Sequence, residues 1–279
     1  MDLSKVSISL VVASCDVIRG EVVATTLYPN NFIGELPMFD FHTYYIKEES
    51  CLLNVDMENL LPSYPKHVKL SVGLHPWNVS ETWQETVASI RKVASRDDVW
   101  AIGECGLDKV HGEPHPLQME VQMAAFRAQI AIAEEVQKPI VIHCVRAFDE
   151  LLMLRRELEA SRKREDREPQ PWVIHGFRGK PEQAKQLMTK GMLLSFGHQY
   201  NLETLRFVYA SLKGASPSSS GSSLGEGQGS VTSFFLETDD LHLSVRQIYE
   251  QAARHLDVDV AHLSHLCDPR TTLFSRQIP

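Results

Sequence analysis

Pro139-Ile140-Val141-Ile142-His143-Cys144 holds a short, unbroken, β-branched run that is closed by the imidazole of His143. Apolar runs of this length without alternation are the mark of a strand buried on both faces, as in a parallel sheet covered by helices. Outward from it, seven further runs of the same kind lie at residues 38–42, 51–55, 68–73, 99–103, 172–175, 192–196 and 234–237. Stretches of helical periodicity separate most of them, at 80–95, 117–136, 147–159, 181–190 and 201–212, with Pro181 at a first helical position. Eight strand-then-helix units predict an α/β fold of the TIM (β/α)8 barrel type. An open doubly wound sheet is the rival, but no Gly-x-Gly-x-x-Gly follows the first strand to support it.

The chain of 279 residues is 43% hydrophobic and 23% charged, which excludes collagen-like, mucin-like and wholly disordered classes and is long enough for one barrel. Its net charge of −8 leaves no diffuse basic surface to grip a phosphate backbone, so a nucleic-acid partner must be held by local cations or by metal ions. Cys15, Cys51, Cys105, Cys144 and Cys267 form no Cys-x-x-Cys pair, which points to reduced thiols in a cytoplasmic protein. No run approaches the roughly 20 apolar residues of a membrane-spanning helix. Residues 1–15 resemble an export leader only weakly, because Asp2 and several serines interrupt it. Residues 1–37 are therefore read as a strand-like or floppy extension ahead of a barrel domain at 38–279, and as the product of an upstream start codon. The Gly/Ser-rich stretch 214–230 reads as a flexible surface insertion, and the mixed-charge run 162–171 as a solvated helix end and connector.

In a barrel the site forms where strands end, so the polar residues that close the apolar runs matter most. They are Asp40 and His42, His75, Glu104, His143, His175 and Asp239. Any one alone has a plainer reading as a turn or helix-capping residue. Together at one barrel mouth, imidazoles and carboxylates are ligands for zinc, manganese or magnesium, and a carboxylate such as Glu104 can bridge two ions. Paired ions acidify a shared water and stabilise both the attacking and the leaving oxygen of a phosphoryl displacement. Arg178 and Lys180, at the head of the helix opened by Pro181, offer a phosphate contact, with a pair of solvated charges as the equal alternative.

The motifs Phe39-Asp40-Phe41-His42-Thr43-Tyr44, Val72-Gly73-Leu74-His75-Pro76, Ala101-Ile102-Gly103-Glu104-Cys105-Gly106-Leu107-Asp108, Pro139 to Cys144, Val173-Ile174-His175-Gly176-Phe177-Arg178-Gly179 and Phe235-Leu236-Glu237-Thr238-Asp239 resemble, in order, those of the TatD family of metal-dependent deoxyribonucleases in the amidohydrolase superfamily. The resemblance implies a TIM barrel that hydrolyses DNA phosphodiesters as a 3′→5′ exonuclease, with DNA as partner, preferably single-stranded or frayed at its ends. It implies one or two divalent ions (Mg2+, Mn2+ or Zn2+): His42 and Asp239 on one, His143 and His175 on the other, Glu104 bridging. Asp239 would deprotonate the attacking water, and His75, with Arg146 and Arg178, would face the substrate.

The chain departs from that pattern at four places. Tyr44 stands where the family has a second His; sharing a face with His42, it is expected at the metal centre, weakening the first ion. Val145 stands where an Arg is usual, and Arg146 follows. Trp77 replaces a second His and offers a stacking face for a base. Residues 1–37 are the fourth departure. Two rival functions stay open: a barrel hydrolase of a small ester or amide, and a binding protein that lost catalysis through Tyr44.

Overall fold

The computed structural model describes residues 38–111, 116–213 and 233–275. The extension 1–37, with its weak leader-like start, and the insertion 214–230 lie outside the described residues. Eight strands, β1 (Phe39–Thr43), β2 (Ser50–Val55), β3 (Val68–Val72), β4 (Val99–Asp108), β5 (Ile140–Val145), β6 (Trp172–Ile174), β7 (Leu193–Phe196) and β8 (Phe235–Leu236), pair in parallel in sequence order. The ring closes just past β8, where Asp239 bridges Thr43: its N–H donates to the His42 carbonyl at 2.9 Å and its carbonyl accepts from Tyr44 N–H at 3.3 Å. The predicted barrel is thus the observed fold.

Helices α1 (Trp83–Val93), α2 (Pro116–Val136), α3 (Phe148–Arg164), α4 (Pro181–Thr189), α5 (Leu202–Lys213), α6 (Val245–Leu256) and α7 (Val260–Leu266) follow the strands from β3 onward. The expectation of a helix after every strand fails at the first two. Only residues 44–49 join β1 to β2, too few for a helical crossover, and a single 3-10 turn at Met57–Asn59 follows β2. The mixed-charge run at 162–171 begins as the last residues of α3, as a solvated helix end should.

Two apolar layers hold the barrel. Outside the sheet, residues such as Leu70, Ile102, Ile142 and Leu194 pack against Ile90, Phe126, Leu151 and Ile248 of the helices. Inside it, Phe41 stacks on Phe235 with ring centroids 4.4 Å apart, and Leu52, Ala101, Val141 and Val173 complete the layer. Phe274, from the C-terminal segment, reaches Phe41 and Trp100, with Trp100 at 4.9 Å. Filled below by aromatic rings, the barrel leaves its polar strand ends at the opposite mouth.

Candidate metal centre

Glu104 sits within β4, 2% exposed, with its N–H donated to Asn54 Oδ1 on β2 at 2.7 Å. Its Oε1 lies 2.7 Å from His175 Nε2, 2.9 Å from His143 Nδ1 and 3.1 Å from His75 Nε2. Its Oε2 accepts from Tyr44 Oη at 2.5 Å and lies 3.1 Å from His42 Nε2. One carboxylate therefore meets four imidazoles and a phenol from the ends of β1, β3, β5 and β6. Close backbone approach makes this possible. A Cβ on Gly106, at φ +146°, would stand 2.0 Å from the His143 carbonyl oxygen, so only glycine lets β4 and β5 come this near.

The surrounding residues fix the rings. His143 Nε2 lies 3.0 Å from Asp108 Oδ2, and Asp108 also accepts from Trp77 Nε1 at 2.7 Å and from the amides of Val110 and His111. His175 Nδ1 lies 3.3 Å from Glu237 Oε1, which also accepts the Gly176 N–H at 2.6 Å. Such outer partners set the tautomer and orientation of a ligating imidazole. Asp239, in a left-handed backbone at φ 55°, places Oδ1 3.8 Å from His42 Nε2.

The electrostatics follow from one buried anion among rings. Burial opposes ionisation of Glu104, but the facing His175 and His42 outweigh it and hold the carboxyl well below its usual range. Burial likewise disfavours the His175 cation, yet Glu104 and Glu237 lift that imidazole well above its usual value. Burial pushes the His75 imidazole down and the Asp239 carboxyl up. Burial and the Glu104 charge together push the Tyr44 phenol up, so it stays a neutral donor. For Asp108 burial again raises the carboxyl, but its hydrogen bonds, led by Trp77, bring it down to about 2.

The donor set fits a divalent ion. His42 is fully buried, yet neither ring nitrogen makes a hydrogen bond, and Glu237 Oε2 is also unpartnered. His42 Nε2 approaches Glu104 only in an orientation that satisfies no proton, an arrangement suited to an ion that both would ligate. Ligand atoms converge in three sets: His42, Glu104 and His175; His75, Glu104 and His143; His175, Glu237 and Asp239.

The sequence-derived candidates His42, Glu104, His143, His175 and Asp239 are therefore neighbours, and His75 lies as near Glu104 as they do. Arg146 and Arg178 do not join them. Arg146 is exposed beside Phe148 and Gln183 at the heads of α3 and α4, and Arg178 donates to Gln199 Oε1 at 3.1 Å. Tyr44 stands beyond the end of β1, where the register has slipped, and reaches Glu104 by its hydroxyl alone. Asn54, Asp108 and Glu237 were not among the candidates; each is polar at or just past a strand end, the same signal that marked the others.

The sequence model of the family described as TatD related DNase matches residues 44–214. An uncharacterized metal-dependent hydrolase of Bacillus subtilis, YabD, is 34% identical over 127 residues, covering 46% of each chain. A 3'-5' ssDNA/RNA exonuclease TatD of Erwinia tasmaniensis is 29% identical over 143 residues, covering 49% of each. The matched stretch thus spans about half the length of these curated relatives. The crystal structure of YjjV, a TatD homologue from Escherichia coli, superposes with a TM-score of 0.63 over 88% of this chain and 99% of that one, at 18% identity, a likeness of fold.

Proposed function

This chain belongs to the TatD related DNase family, and from that premise we propose that it is a metal-dependent hydrolase cleaving DNA phosphodiesters 3′→5′ from single-stranded or frayed ends. The observation that carries the reading is Glu104, a buried carboxylate shared among His42, His75, His143 and His175 at the barrel mouth. One or two divalent ions are proposed, with His42 and Asp239 on one side of Glu104 and His143 and His175 on the other. Bound there, such ions supply Lewis acidity toward phosphate and water.

The chain's own residues do the rest. Asp239 orients the attacking water and takes its proton, a role helped by the burial that raises its carboxyl and so strengthens it as a base. His75, kept neutral by burial, contacts the scissile phosphate. Arg146 and Arg178 stand outside the cluster and are proposed only as contacts to more distant phosphates. The working compartment proposed is the cytosol, consistent with Cys51, Cys105, Cys144 and Cys267 being free thiols; among the described residues no helix is long and apolar enough to cross a membrane.

One observation favours a variant of this reading with a single tight ion. Tyr44 takes up Glu104 Oε2, the oxygen that also faces His42, so the His42–Asp239 side is the weaker one. The test of substrate class is to strip the protein with chelator and restore Mg2+, Mn2+ or Zn2+ separately. A single-stranded oligonucleotide and a small carboxylic ester are then offered in parallel. Release of nucleotides from the 3′ end is expected. Hydrolysis of the ester alone would move the assignment to the small-ester class, and inertness toward both, with metal bound, to a binding role.

A further inference from the structure

Seven large apolar side chains are exposed among the described residues, and five of them, Tyr44, Tyr45, Ile46, Trp77 and Val110, follow the C-terminal ends of β1, β3 and β4. That places them around the rim of the Glu104 cluster, where apolar exposure marks a binding surface. Trp77 is the largest and is 51% exposed, whereas Trp100 and Trp172 are buried and Trp83 is partly buried. Its ring is held in place. The Trp77 N–H donates to His75 Nδ1 at 3.1 Å, and Nε1 donates to Asp108 Oδ2 at 2.7 Å. The indole lies on the His111 ring, with centroids 4.0 Å and planes 15° apart, and its centroid is 5.8 Å from that of His143.

We propose that Trp77, backed by His111, is a base platform: the nucleobase next to the scissile phosphate stacks on the indole, and this contact selects an unpaired strand. The proposal rests on the reading of the cluster as a phosphodiesterase centre. A base is the ligand indicated because the neighbouring chemistry addresses phosphate, and a rigid aromatic plane joined to it through Asp108 and His75 lies where the next part of a nucleotide must go. Coulombic grip is in short supply. The chain carries −8 overall, near the mouth Lys47 is paired with Asp40 and Lys109 with Glu150, and Arg146 and Arg178 stand outside the cluster. Every base has a π face, and pairing in a duplex hides it, so a stacking site is indifferent to sequence and selective for single strands. Because the indole is already fixed, little rotamer freedom is lost when a base arrives.

The test uses the metal-loaded protein with a phosphorothioate dT decamer and an abasic decamer of the same backbone. Anisotropy of the end-labelled decamers reports affinity in wild type and variants, tryptophan emission reports contact with the wild-type indole, and Mn2+-dependent cleavage of the ordinary dT decamer is followed alongside. The dT decamer is expected to quench the wild type and to bind about tenfold or more tightly than the abasic one. That preference should vanish in Trp77→Ala and survive in Trp77→Phe, which keeps a ring. Cleavage of dT without quenching, or with the preference intact in Trp77→Ala, overturns the platform and leaves the phosphodiesterase reading standing. Quenching and base preference without any cleavage would instead overturn the phosphodiesterase reading. Should Trp77→Ala fail to fold, absence of quenching in the wild type, or loss of the preference in Trp77→Phe, overturns the platform by itself.

Discussion

Tyr44 and Glu104 share one hydrogen bond of 2.5 Å, and on the proposed reading that contact sets how many ions the centre holds. A neutral phenol donating to Oε2 competes with an ion for the same lone pairs. Tyr44→Phe is therefore expected to raise the number of ions retained after dialysis, and Tyr44→His to raise it further by adding an imidazole; elemental analysis reads both. Equal stoichiometry in all three proteins would show that Tyr44 has no part in the count. His175 gives the pH dependence. Because Glu104 and Glu237 lift its folded value above its ordinary one, its contribution to stability is complete below about 6.5 and is lost as pH rises through the folded value. Glu104 is shifted the other way, so its contribution is present above about 4.5 and lost on acidification. The metal-free protein should be most stable between those limits. An ion must displace the His175 proton, so metal affinity should climb with pH across neutrality and binding should release protons. Calorimetry in two buffers of different ionisation enthalpy reads that release, and identical heats would contradict it. Most of these residues were legible because an apolar run ending on His, Asp or Glu is visible in the sequence. Glu237 and Asp108 were not picked out, because a strand end fixes where a residue stands and not which ring its oxygen meets.

The elements that matter most for the site are the two at the seam of the barrel. Asp40 on β1, fully buried, accepts the Thr238 N–H at 2.9 Å and the Thr238 hydroxyl at 2.6 Å, and pairs with Lys47 at 3.3 Å. Lys47 also donates to Thr238 Oγ1 and to the Leu243 carbonyl. This clasp ties the strand that carries His42 to the segment that carries Asp239. Burial alone lifts the Asp40 carboxyl to about 6, even against the pull of Thr238 and Lys47. Removing it leaves the Thr238 amide and hydroxyl without an acceptor and the buried Lys47 ammonium without its counter-charge, so Asp40→Ala is expected to cost about 3–5 kcal/mol in denaturant unfolding. A loss below 1 kcal/mol would mean that the seam is held elsewhere. Sequence reading placed all eight strands here but passed over α6 and α7. The signal for α6 was present: Val245, Ile248, Tyr249, Ala252 and Ala253 repeat at helical spacing and are buried, behind a Ser244 cap that accepts from the Arg246 N–H. In the other direction, the rule of one helix per strand was applied to β1, whose six-residue connection is too short to obey it, and to β2, whose connection forms only the turn Met57–Asn59.

At the scale of the whole molecule, the fold separates stability from chemistry. Aromatic rings fill one end of the barrel, loops and strand ends carry the polar cluster at the other, and no candidate residue lies in 214–230. Replacing that stretch by a short Gly/Ser turn should leave unfolding midpoint and turnover nearly unchanged, since closure entropy varies only with the logarithm of loop length. A large drop in either would assign the stretch a packing role. The (β/α)8 class was legible because buried parallel strands leave unbroken apolar runs, whereas the ring of contacts around Glu104 depends on close approaches, such as that at Gly106, that no periodicity reports. The central claim is that this carboxylate joins the imidazoles into one hydrolytic metal centre. The measurement that tests it most directly is the divalent-ion dependence of 3′-nucleotide release from a single-stranded DNA oligomer by wild type and Glu104→Ala. The account predicts saturable metal activation of the wild type and a rate at least a thousandfold lower, about 4 kcal/mol of transition-state stabilisation, in a folded Glu104→Ala protein. Retention of more than about a tenth of the wild-type rate by that variant, at the same metal concentration, would contradict it.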